Sequence, residues 1–158
     1  MDEEYRAYRA DQAHEWLERI RRAGESCAAL REQVEDARYR AAGVRGLDYS
    51  SARVSSSGGG DAMADAYASI QGAVASYAAA LAAYEGERAE ASAALGRMDD
   101  PTCARVLRLR YMLDRRWEEI CVEMNYTYDG MMKLRRRALA EFWDVMPRSR
   151  RDALPPAL

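Results

Sequence analysis

Residues 117–139 read WEEICVEMNYTYDGMMKLRRRAL and hold the densest chemistry in the chain. Ile120, Cys121 and Met124 fall on one face of a helix that stops at Asn125-Tyr126. Asn tolerates the left-handed backbone that a tight helical turn needs. Thr127 then supplies a hydroxyl to cap a new helix. In that second helix Met131, Leu134 and Ala138 share the inner face, while Tyr128, Asp129, Met132, Lys133, Arg135 and Arg136 point outward. Two helices joined by so short a turn, the second with a basic outer face, form the helix-turn-helix pattern of DNA readers. Tyr128, Asp129, Met132 and Lys133 are the candidates for base edges. Tyr128 and Met132 suit thymine methyls, and Asp129 can accept from cytosine N4. Arg115, Arg116, Arg135, Arg136 and Arg137 are the candidates for phosphate contacts.

Other chemistries lack their residues. His14 is the only histidine, and Glu18 is its only ligand-spaced neighbour, so no metal site is expected. Cys27, Cys103 and Cys121 are odd in number and lack CxxC spacing, which fits a reducing cytoplasm rather than a disulfide scaffold. Glu118 and Glu119 are adjacent and so point to different helix faces. Ser55 to Gly60 has no GK[ST] ending and is read as linker, not a phosphate loop. With no nucleophile–base set, the expectation is a protein that is not an enzyme and uses no cofactor.

The elements that position residues 117–139 are helical throughout. Asp100 followed by Pro101 is a helix start. From there the apolar positions describe three helices, about 101–113, 116–124 and 128–146. Val106, Leu107, Tyr111, Trp117, Ile120, Cys121, Met124, Met131, Leu134, Ala138, Leu139 and Phe142 form a small trihelical core. Upstream, steps of three and four from Ala13 land on Trp16, Ile20, Ala23, Cys27, Leu30, Val34, Ala37, Ala41 and Val44, none of them charged. That seam covers ~48 Å of helix. The same stepping from Met63 gives Tyr67, Ile70, Val74, Tyr77, Leu81, Tyr84, Arg88, Ala91, Leu95 and Met98, broken only by Arg88. Across the hairpin the large residues (Trp16, Tyr67, Tyr77, Tyr84) suit the small ones (Ala23, Ala37, Ala41). The expected fold is all-α: a long, coiled-coil-like antiparallel hairpin over 1–98, with a Gly/Ser-rich loop at 43–60, then a trihelical domain over 100–146 and a flexible tail over 147–158. The seams can equally pair between two chains, as a homodimer.

Charge divides along the same line. Residues 1–100 carry 12 Arg and 18 acidic residues, net −6; residues 101–158 carry 11 Arg, one Lys and 8 acidic residues, net +4. A basic module on an acidic support is expected. No apolar run reaches the ~18–20 residues of a membrane span. The acidic start, Met-Asp-Glu-Glu-Tyr, lacks a secretory pattern.

Arg105-Val-Leu-Arg-Leu-Arg-Tyr111, Trp117-Glu-Glu-Ile120, Asn125-Tyr-Thr127 and Arg137-Ala-Leu139 together resemble region 4 of sigma factors. They resemble more closely the small phage and prophage proteins with sigma-like C-termini, the ArpU/RinA-type late-gene regulators and related families. Those proteins also carry a helical N-terminal half, and often a short loop similar to Leu47-Asp-Tyr-Ser-Ser-Ala-Arg-Val-Ser-Ser56. The specific motif is confined to 103–142. This chain has Arg116 where the family usually caps with Ser or Thr, and Asn125 where it usually has Gly. Tyr128, Asp129, Gly130 and Met132 stand where sigma region 4 is mostly basic or polar. The resemblance implies a DNA-binding transcriptional regulator in the cytoplasm of a bacterial host, acting on promoter DNA and on host RNA polymerase. Two other functions fit the residues. One is an adaptor docking on RNA polymerase or another phage protein, and the other is a small terminase-like DNA-packaging subunit.

Overall fold

The computed structural model of the chain describes residues 2–48 and 58–152. Among them there are five α-helices and no strand. They are α1 (Asp2–Asp48), α2 (Gly58–Leu95), α3 (Pro101–Leu107), α4 (Trp117–Met124) and α5 (Tyr128–Val145). A π-helical turn, Arg108–Met112, extends α3, and a 3-10 turn, Arg148–Arg150, follows α5. No helix among these residues is long and apolar enough to cross a membrane.

Local chemistry sets the helix ends. The Asp100 carboxylate accepts the backbone N–H groups of Thr102 and Cys103 at 2.8 and 3.2 Å, with Pro101 in the first turn. These bonds hold the Asp100 carboxyl below the usual carboxylate range. The expected single helix over 101–113 is divided. Leu113 N–H bonds to Arg108 O, five residues back, and Asp114 leaves in the left-handed region at φ 52°. The π turn brings Leu109, Tyr111 and Met112 into the core together. Of the residues expected as a loop over 43–60, 43–48 continue α1 and 58–60 begin α2; 49–57 lie outside the described residues.

Contacts group the chain into two compact units, residues 1–22 with 85–158, and residues 23–84. The grouping cuts across the covalent division at 98–100. In the first unit, α1 supplies a wall of the core that the trihelical reading did not include. Ala13, Trp16, Leu17 and Ile20 are buried with Val106, Leu107, Ile120, Met131, Leu139 and Phe142. Trp16 stacks on Phe142 with ring centroids 6.0 Å apart. Buried Gln12 accepts from Trp143 Nε1 at 2.8 Å and from the backbone N–H of Asp152 at 3.3 Å. Each such large side chain contributes about 1.5–3 kcal/mol when fully buried. Trp117, Cys121 and Met124, expected in the core, are half-buried. The tail is tied down as far as 152. Arg150 pairs with Glu87 and Glu90, and Arg151 lies over the Trp143 ring; residues 153–158 are outside the described residues.

The second unit buries less. Among its described residues, Cys27 and Val34 are the buried apolar ones. Gly24 is there because Tyr84 needs the space: a Cβ at 24 would lie 3.2 Å from the Tyr84 ring. The α2 seam is split by position. Ile70, Tyr77 and Tyr84 are half-buried, but Tyr67 is 65% exposed and Val74 38% exposed. Tyr67 therefore does not pack on small residues of α1 as its spacing suggested. One face of a helix can meet a single neighbour, and the adjoining half of this broad stripe is left over.

Candidate nucleic-acid interface

The turn between α4 and α5 is built as its residues require. Asn125 takes the left-handed conformation, φ 56° and ψ 49°, and its N–H reaches back to Cys121 O and Val122 O. Tyr126 N–H bonds to Cys121 O at 2.9 Å. Thr127 Oγ1 caps α5 by accepting Gly130 N–H at 3.2 Å. Gly130 suits this close cap, since a Cβ there would stand 3.1 Å from Thr127 Oγ1. Arg116 gives α4 no side-chain cap; instead the Glu119 carboxylate accepts the Arg116 N–H at 3.0 Å. Buried Ile120, Met131 and Leu134 lie beneath the turn.

On α5, Asp129, Met132, Lys133 and Arg136 fall at spacings of three and four, which puts them on one face. Tyr128, Asp129, Lys133 and Arg136 are exposed, and Met132 is half-buried. Arg115 and Arg116, just before α4, are exposed as well. None of the four cations Arg115, Arg116, Lys133 and Arg136 makes a side-chain ion pair or hydrogen bond with a described residue. Such cations keep their full charge for a ligand.

Arg135 and Arg137 do not join them. Arg137 donates to Asp100 at 2.6 Å, pairs with Glu141 at 3.5 Å and reaches Cys103 Sγ at 3.5 Å. Asp100, Cys103 and Glu141 bring three ligand-type atoms within 4.8 Å of one another. The Arg137 guanidinium already serves as their cation, and burial pushes the Cys103 thiol up to about 11, so it stays protonated. Arg135 is half-buried and turned inward. Its guanidinium lies 5.5 Å from the centre of the Trp117 ring, and Nη2 is 3.4 Å from His14 Nδ1. Arg110 flanks the same indole at 5.6 Å. The phosphate candidates are thus reduced to Arg115, Arg116 and Arg136, with Lys133 beside them.

His14 belongs to this region although its sequence neighbourhood gave no sign of it. Its Nδ1 is 2.8 Å from the Tyr111 hydroxyl. Arg135 can only donate, so Nδ1 serves as the acceptor and Tyr111 O–H donates to it. Burial, and then the Arg135 charge, lower the His14 pKa. A residue of α1 therefore helps hold an arginine of α5. The one available signal was the chain's sole histidine at a spacing of one from the Ala13 seam. Tyr126 at 39% and Val122 at 84% exposure are apolar surface around the turn that the sequence reading did not single out. Comparison with protein-family models, with curated proteins and with solved structures finds no match to this chain.

Proposed function

We propose that the chain is a DNA-binding transcriptional regulator of phage or prophage type, reading promoter DNA with α4–turn–α5 as a sigma region 4-like helix-turn-helix. One observation carries the reading: α5 follows a left-handed turn and presents Lys133 and Arg136, both unpaired, on one exposed face with Asp129 and Met132. In this reading α5 lies in the major groove, with Tyr128, Asp129 and Met132 toward base edges. Lys133, Arg136, Arg115 and Arg116 neutralise phosphates. Arg135 positions the interface by packing on Trp117. Residues 23–84 act as the arm, folded as an antiparallel hairpin. Tyr84 against Gly24 supports that arrangement, as does the groove that Ala37 lines together with Ala66 and Ala73.

Fluorescence anisotropy with random-sequence duplex, over a salt titration, tests it. Each lost phosphate contact reduces the slope of log affinity against log salt by about 1. Lys133→Ala with Arg136→Ala is expected to reduce it by about 2 and to weaken binding to all sequences. Unchanged binding in that double variant, or no binding by the wild type even at low salt, overturns the reading. A second reading, a protein adaptor, is favoured by exposed Val122, Tyr126 and Tyr128 around the turn. It predicts that Tyr128→Ser abolishes binding to a protein such as RNA polymerase and leaves DNA affinity unchanged.

A further inference from the structure

We propose that α2 carries a self-association face, on which the stripe Met63, Tyr67, Val74 and Leu81 packs antiparallel against the same stripe of a second copy, with Val74 at the two-fold axis. The nineteen residues from Ala66 to Tyr84 contain no charged side chain. A helix uncharged on every side is normally covered on every side. Here Met63, Tyr67 and Val74 are 39, 65 and 38% exposed, Leu81 is half-buried, and the flanking Ala68, Ala75, Ala78 and Ala82 are exposed too. Tyr67, Val74 and Leu81 repeat every seven residues, the spacing that keeps a stripe facing a partner helix. The alanines beside them let a second backbone come close.

A second copy is the occupant that the charges select. Between 58 and 84 the only charged residues are Asp61 and Asp65, both near the start of α2. A parallel pair would gather four carboxylates at one end. Reversal about Val74 separates them and sets Tyr67, seven residues before the axis, against Leu81, seven residues after it. Arg88 takes the next position of the heptad spacing, makes no ion pair with a described residue, and in the reversed pair falls opposite the end that carries Asp61. The stripe is therefore complementary to itself in one orientation and repelled in the other. None of this uses nucleic acid, so it stands or falls apart from the DNA reading.

Sedimentation of the full chain without DNA, across the micromolar range, is the first test, and a monomer–dimer equilibrium is expected. Val74→Arg sets two like charges face to face at the axis and is expected to raise the dissociation constant at least about a hundredfold. Its helicity is checked by circular dichroism. Cross-linking gives an independent readout, with the wild type and its own three cysteines as control. Tyr67→Cys mixed with Leu81→Cys is expected to form a disulfide-linked dimer, whereas Tyr67→Cys alone does not, its two copies lying ~21 Å apart along the helix. A monomer throughout, a larger ring, a dimer indifferent to Val74→Arg, or Tyr67→Cys linking to itself overturns the proposal.

Discussion

The two compact units begin from similar sequence and end differently. Both use α1 seam residues at spacings of three and four. In the unit formed by 1–22 and 85–158, the seam members Ala13, Trp16 and Ile20 are at most 3% exposed. Trp16 stacks on Phe142, and Leu107, Met131 and Met146 are buried in the same unit. In the unit formed by 23–84, Cys27 and Val34 are the buried apolar residues among the described ones, at 7 and 6%, while Tyr39 and Tyr67 stand 81 and 65% exposed. A heptad pattern states that a face will be covered; it does not state by how many neighbours. Two helices can cover one stripe of each other, and a third or fourth is needed to make a closed core.

The sharpest way to break this comparison is to remove one buried side chain from each unit. Phe142→Ala is expected to cost about 3–5 kcal/mol in urea denaturation, since it leaves a cavity beside Trp16. Val34→Ala is expected to cost about 1.5 kcal/mol, the transfer value of the methyls alone. A cost for Val34→Ala well above that transfer value would mean that a cavity forms there too and that the second unit is as closed as the first. A smaller effect sharpens the contrast at the turn, because only the first unit has a left-handed non-glycine residue among the described positions. Asn125→Val is expected to destabilise by about 1–2 kcal/mol and Asn125→Gly to be nearly neutral. The smallest effect concerns pH. His14 has a lowered pKa in the folded chain, so the unfolded chain binds the proton more readily. Its contribution to stability is complete above the ordinary value of 6.5 and declines as pH falls below it toward the folded value. The urea midpoint is expected to drop between neutrality and the range where carboxylates begin to titrate. The sole histidine makes His14→Gln a clean control, expected to flatten that slope.

What was legible in the sequence was the chemistry that acts over a few residues. Asp100 and Thr127 begin helices by accepting N–H groups of their own neighbours, Pro101 by its fixed φ, and Asn125 ends one by taking the left-handed backbone, so their types were enough. The all-helical character follows from the same local source. Arg135 was not legible. It lies at the edge of the α5 outer face, and its direction is decided by Trp117 and His14, the latter 121 residues away. Arg137 was drawn from the surface set by Asp100, a residue read only as a helix cap. The docking of α1 was hidden because Ala13, Trp16 and Ile20 have the same spacing as Cys27, Leu30 and Val34. Nothing local separates a residue that will be fully buried from one that will be covered only in part. The six cations around the turn were legible as types; that Arg115, Arg116, Lys133 and Arg136 stand unpaired among the described residues was not.

The stacking of Trp16 on Phe142 also has a consequence in time. These residues leave the ribosome far apart: at typical bacterial and eukaryotic rates, the 126 residues from Leu17 to Phe142 take about 6–25 s to synthesise. Throughout that interval Trp16, Leu17 and Ile20 have no core to enter, and α1 waits with its apolar stripe uncovered. Residues 1–22 are thus made well before the segments that cover them. Residues 100–146, transplanted alone, would carry the complementary wound, a bare surface where α1 belongs. Moving the turn and its helices into another protein therefore means moving the first twenty-two residues with them.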